Sequence, residues 1–290
     1  MLPSMLKAGY PRSFTAGVIA AAGSTDILIP PSIAFVIYSL LVPQASVPAL
    51  FAAGMIPGIL SGLTLILVAW WLSVRNNFEA EPAAPRPSFW QSLKEAGWGL
   101  AAPVIILGGM RSGFFTPTEA AVVAVFYGLL VGMVIYRTLR WKDVYQVLIE
   151  SAEISSVILT VVALASVFAW GSNTLGTFDH LAATLLGTGL SEIPMLLSIQ
   201  LLLLIAGMFL DAISIYFIFL LLLIPIAMHF NWDLVWFGVN LMVTCRMAGV
   251  SMESTVPWVL WMVAAMAGAM FLVAFVPELA LWLPRHLGHL

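Results

Sequence analysis

Between Ala49 and Val74 the chain runs for 26 residues without one charged side chain. As a helix, such a run rises about 39 Å at 1.5 Å per residue, more than the roughly 30 Å of a bilayer's hydrocarbon core. It has no polar face to turn to water, so it constrains the fold before any motif is considered. Further apolar runs lie at Phe14–Val42, Gly97–Phe115, Ala120–Tyr136, Ser155–Gly171, Met195–Leu210, Ile213–Met228 and Val256–Val276. Composition agrees: 62% of the 290 residues are hydrophobic and 9% charged, against about 25% charged in a soluble domain. The sequence predicts an all-α polytopic membrane protein.

The remaining composition mostly excludes. A net charge of −3 without a basic run gives no nucleic-acid partner. Cys245 is the single cysteine, so one chain holds no disulfide and no Cys-based metal site. Met1 to Arg12 lacks the apolar core of a signal peptide and reads as a loop entering a helix, as though the sequence opened inside a protein. No G-x-x-x-x-G-K-[ST], H-E-x-x-H or G-x-S-x-G occurs, so no enzyme is expected and ATP does not drive the chain directly. Asp26 and Asp211 lack the Gly-x-Gly-Asp context of intramembrane aspartyl proteases.

Trp70-Trp71 suits an interfacial aromatic belt. Arg75 to Glu95, with Pro82, Pro85 and Pro87, is a solvated linker. Thr116-Pro117-Thr118-Glu119 has the form of a capping box opening a helix. Arg140 to Glu150 is expected as an amphipathic surface stretch, and Gly171 to Pro194 as a Gly- and Thr-rich connection. The runs on either side of Asp211 are short for spans. They form either two thin spans or, the favoured reading, a re-entrant hairpin with its tip at 209–214. Eight of the eleven basic residues lie on one side of this arrangement, which the positive-inside tendency makes cytoplasmic.

The stretch Gly23-Ser24-Thr25-Asp26-Ile27-Leu28-Ile29-Pro30-Pro31-Ser32 carries the chemistry. Pro30 and Pro31 remove two backbone donors and push Ile29 out of helical geometry. The freed carbonyls, with the hydroxyls of Ser24, Thr25 and Ser32, are hard oxygen ligands suited to Na⁺. The half-helix beginning at Ser32 would present unpaired N–H groups to an anion, and broken helices at mid-membrane are where secondary transporters bind. The competing reading is a plain kink with Asp26 capping a turn. Asp211, in Gly207-Met208-Phe209-Leu210-Asp211, either neutralises a cation and fixes the tip or caps the helix from Ala212.

These stretches resemble the large membrane subunit, or DctM family, of tripartite ATP-independent periplasmic (TRAP) transporters. Lys7-Ala8-Gly9-Tyr10, Ile29-Pro30-Pro31-Ser32-Ile33, Leu50-Phe51-Ala52-Ala53-Gly54 with Pro57-Gly58, Phe115 to Ala120, Tyr136-Arg137, Gly207 to Asp211 and Trp282-Leu283-Pro284 follow the family's order. The resemblance implies an inverted-repeat transporter fold in a bacterial inner membrane, with broken helices and elevator-type movement. It implies Na⁺-coupled uptake of organic acids, dicarboxylate-like anions delivered by a periplasmic binding protein, and a small four-helix membrane subunit as partner. Carried onto this sequence, Na⁺ falls to Gly23, Ser24, Thr25, Asp26, Ile29 and Gly207, and the organic acid to Pro30, Pro31, Ser32 and Asp211. No cofactor is expected beyond the coupling ion.

The sequence departs from the family pattern twice. A first hairpin, expected ahead of Met5, is missing. A Gly-x-x-Thr-Pro-Pro helix break, expected after Gly207 to Asp211, is also missing, because Phe237-Gly238-Val239 passes straight to Asn240-Leu241. Ser46-Val47-Pro48 resembles Ser254-Thr255-Val256-Pro257 as a repeat signature, which places the lost Pro pair near Asn240. The expected organisation is a remnant of the first repeat at 1–74, the linker at 75–95, scaffold helices at 96–172 and the second repeat at 173–290. The alternative to a permease is a degenerate transporter fragment, an assembly partner without transport activity.

Overall fold

A computed structural model describes residues 5–6, 8–25, 28–78, 88–210, 212–248 and 256–290, and every regular element among them is a helix. The chain divides into two compact units, Met1–Ala84 with Ser172–Leu290, and Pro85–Gly171. Among the described residues three helices are long and apolar enough to cross a membrane, and a fourth span results if one bent pair is counted together.

The first unit opens with α1 (Arg12–Thr25), α2 (Ile33–Leu41) and α3 (Val47–Arg75). Ser46 starts α3 by accepting the Ala49 N–H at 3.3 Å, and Pro48 sits in the first turn, where no N–H is missed. At the end of the helix, Arg75 lies 5.0 Å over the Trp71 ring, which meets Trp261 edge-on at 5.1 Å. Tyr10, Phe14, Phe78 and Trp258 form a second cluster, with ring centroids 5.1–6.0 Å apart. It gathers the start of α1, the end of α3 and the start of α11 (Val256–Phe275) at one end of the unit. Like α3, α11 opens on Val-Pro, and the two helices pack together.

After α7 (Thr177–Leu186) come α8 (Glu192–Gly207), α9 (Ala212–His229) and α10 (Leu234–Ala248). Asp233 starts α10 by accepting the N–H groups of Val235 and Trp236 at 2.8 and 3.2 Å. Every residue from Val235 to Thr244 is buried, so α10 is the core helix of the unit. It packs chiefly on α8 and α3, and Trp236 donates its indole N–H to the Val273 carbonyl of α11 at 2.9 Å. At their 16 and 18 residues, α8 and α9 rise about 24 and 27 Å, short of the hydrocarbon core. Most of the packing of α8 is on α10, and most of that of α9 on α7, α10 and α2. The last helix, α12 (Glu278–His286), turns 60° away from α11 and packs on α3.

The second unit contains α4 (Phe89–Arg111), α5 (Pro117–Leu130, continued by a π-helical turn at Val131–Ile135) and most of α6 (Trp141–Thr174). The capping box at the start of α5 is complete. Glu119 Oε2 accepts the Thr116 N–H at 2.8 Å, and Thr116 Oγ1 accepts the Glu119 N–H at 3.3 Å.

Three boundaries differ from the sequence reading. α6 is one helix of 34 residues, where a surface stretch followed by a separate span was expected. No Gly or Pro lies between Glu150 and Ser155, and charges alone do not interrupt a backbone ladder. The expected connection to Pro194 contains α7, which Gly176 precedes in a left-handed turn at φ +65°. α4 begins at Phe89, inside the stretch assigned to the linker, and residues 79–87 lie outside the described residues.

Candidate functional site

The interruption expected ahead of Ser32 is present. α1 stops at Thr25, Leu28 is in a 3-10 turn, Ile29 to Pro31 form a bend, and the Pro30–Pro31 peptide is cis. Ser32 is extended at φ −124°, ψ 122°, and its hydroxyl oxygen accepts the Phe35 N–H at 3.5 Å to open α2. Two prolines without N–H groups and a serine able to cap explain why the helix stops and restarts here.

Thr25 and Ser32, the two hydroxyls flanking the bend, are buried. Thr25 donates its hydroxyl proton to the Ala22 carbonyl at 2.8 Å, which leaves oxygen lone pairs open to a cation. Pro30 is buried, whereas Gly23, Ile29 and Pro31 are exposed. Gly207 is buried at the end of α8. Asp26, Asp211 and the Ser24 side chain, all assigned to the site from sequence, lie outside the described residues.

α2 ties the bend to the second half of its unit. Tyr38 donates its phenol to the Leu234 carbonyl at 2.8 Å, and its ring meets Tyr216 edge-on at 5.5 Å. The start of α9, just beyond Asp211, therefore lies against α2 within two turns of the bend. A cavity of about 270 Å³ lies beside the end of α1, lined by Val18, Ala22, Thr25, Leu65 and Met262 among others. Among the described residues Thr25 is its one polar lining residue, and the rest of the described lining is apolar.

Sequence reasoning passed over a buried amide pair. Gln200 of α8 donates from Nε2 to Asn240 Oδ1 of α10 at 3.2 Å, and both side chains are almost fully enclosed. The available signal was a neutral polar residue inside each of two apolar runs. Only the fold shows that residues 40 apart in sequence meet.

The profile for the tripartite ATP-independent periplasmic transporter, DctM component, matches residues 1–274. The chain belongs to that family. Among its relatives, the C4-dicarboxylate TRAP transporter large permease protein DctM of Pseudomonas aeruginosa is 34% identical over 308 positions, covering 99% of this chain and 71% of its own. The 2,3-diketo-L-gulonate TRAP transporter large permease protein YiaN of Escherichia coli is 38% identical, over 84% of this chain and 57% of its own. The isethionate TRAP transporter permease protein DctMQ of Oleidesulfovibrio alaskensis is 33% identical over 97% of this chain, which spans 47% of that protein's length.

The match to the Pseudomonas protein leaves positions that this DctM chain does not fill. The Pseudomonas alignment has 308 positions against a chain of 290, so at least 18 positions hold no residue of this chain. Around Val239-Asn240, where the family resemblance calls for a Pro-Pro break, α10 runs unbroken for 15 residues, or about 22 Å.

Proposed function

We propose that the chain is the membrane permease subunit of a TRAP-type, Na⁺-coupled transporter of small organic anions. It acts in a bacterial inner membrane, with a periplasmic binding protein that delivers the anion and a small membrane subunit. The observation that carries this reading is the break between α1 and α2. The end of α1 supplies helix-terminal carbonyls and the Thr25 hydroxyl, a donor set for Na⁺. The start of α2 supplies N–H groups for an anion. Gly23, Ser24, Thr25, Asp26, Ile29 and Gly207 are assigned to the ion, and Pro30, Pro31, Ser32 and Asp211 to the anion. Family relatives are named for C4-dicarboxylates, diketogulonate and isethionate, all small anions at neutral pH.

The unbroken α10 favours a second reading, in which the chain assembles with its partners but does not complete transport. Uptake into proteoliposomes under an inward Na⁺ gradient, with binding protein and small subunit present, separates the two. Gradient-dependent accumulation of a C4-dicarboxylate supports the permease. A stable complex without accumulation supports the assembly partner, and neither a complex nor uptake defeats both.

A further inference from the structure

Two glycines of α3 stand directly against the break. A Cβ built on Gly54 would lie 2.5 Å from Cε2 of Phe35 and 2.7 Å from the carbonyl oxygen of Leu28. One built on Gly58 would lie 2.9 Å from Cγ1 of Ile29 and 3.3 Å from Cβ of Leu28. Neither approach is open to a residue with a side chain unless the opposing atoms move. The opposing atoms belong to the bend itself and to Phe35, whose N–H is capped by Ser32. Gly62, one turn further along α3, has nothing within 4 Å of its Cβ position. The demand for a bare backbone is therefore local to the break, and α3 as a whole does not share it.

We propose that Gly54 and Gly58 are positioning residues that set how deeply the Leu28–Ile29 backbone sits against α3. That depth aims the oxygens and N–H groups around the bend. The consequence for Na⁺ rests on the ion-site reading above; the consequence for geometry does not. A Cβ at Gly54 meets backbone, which cannot rotate out of the way, so the bend must shift outward. At Gly58 the first obstacle is the side chain of Ile29, so the disturbance is smaller and can be relieved by shortening that side chain.

The test uses the full chain in lipid nanodiscs with Cys245→Ala and nitroxides at the exposed positions Ala20 and Leu40, on either side of the break. Pulsed EPR distances are measured in choline chloride and then with rising NaCl. Gly54→Ala and Gly58→Ala are expected to shift the distance distribution in choline, whereas Gly62→Ala leaves it in place. If the parent responds to Na⁺, both variants raise the half-effect concentration about tenfold or more, the cost of about 1.4 kcal/mol in ion binding. Adding Ile29→Ala to Gly58→Ala moves the distribution back toward the parent. A parent blind to Na⁺ whose distances still shift in Gly54→Ala and Gly58→Ala ends the ion reading and leaves the positioning role standing. Distances in both variants matching those of Gly62→Ala overturn the positioning role, whatever Na⁺ does. Should Gly54→Ala fail to fold, the milder Gly58→Ala and its Ile29→Ala rescue decide the matter alone.

Discussion

Gln200 and Asn240 show what a single polar contact does inside an apolar unit. Their one hydrogen bond leaves Gln200 Oε1 and Asn240 Nδ2 buried without partners. Removing one member enlarges that deficit, because the survivor loses its only described side-chain partner while staying buried. Gln200→Leu alone is expected to destabilise the purified protein by about 1–2 kcal/mol. The double substitution Gln200→Leu with Asn240→Leu should recover most of that loss, since no orphaned amide remains. Chemical unfolding of the four proteins in the double-mutant cycle checks this, and additive losses would refute it. Residue-scale chemistry was only partly legible in the sequence. The cap at Ser32 and the Thr116–Glu119 box follow from local spacing and stand as expected. The amide pair and the closeness of Gly54 to Leu28 depend on which helices meet, which local spacing does not encode.

Elements were legible where a strong local signal ends them and misread where none does. Pro30-Pro31 with Ser32 fixed the α1–α2 break, whereas α3 opens at Val47, two residues ahead of the expected span, on the Ser46 cap and Pro48. The expected division within α6 failed because charged residues at Arg140–Glu150 mark a change of solvent without a change of backbone. The Asp143 carboxylate accepts the Arg140 N–H at 2.8 Å, and Gln146 donates to Glu150 at 3.0 Å. Both contacts support the helix through its polar turns. Two predictions belong at this scale. Thr116→Ala removes the α5 cap and should cost about 1 kcal/mol, read as a lower unfolding midpoint. Replacing both Pro30 and Pro31 with Ala restores two backbone donors and lets α1 continue toward α2. Any Na⁺-dependent rise in melting temperature should then disappear, with choline as the control. Retention of the full Na⁺ effect would show that the break is not the ion site.

At the scale of the whole molecule, the ring cluster of Tyr10, Phe14, Phe78 and Trp258 brings the start of α1 and the end of α3 to one side, as the basic residues around them predicted. By the positive-inside tendency of the basic residues, cysteines at Asn77 and Lys142 should resist labelling from outside intact cells, and strong labelling at either would reverse the proposed topology. The last prediction concerns α10. Alternating access needs a site enclosed by two opposed broken elements whose ends supply charge-complementary groups. In the proposed site the α1–α2 break is one such element. In the other half, α10 is a single buried helix whose backbone groups are committed to its own ladder, leaving no freed carbonyl near Asn240. Inserting a Gly-x-x-Thr-Pro-Pro break of the kind the family resemblance calls for between Val239 and Asn240 should accordingly raise Na⁺-driven uptake in proteoliposomes at least about tenfold, because an ion site regains ligands worth more than about 1.4 kcal/mol. The same insertion with both prolines replaced by alanine restores length without the break and should recover little. Equal uptake by the parent and the broken-helix insertion would show that an unbroken α10 suffices for transport.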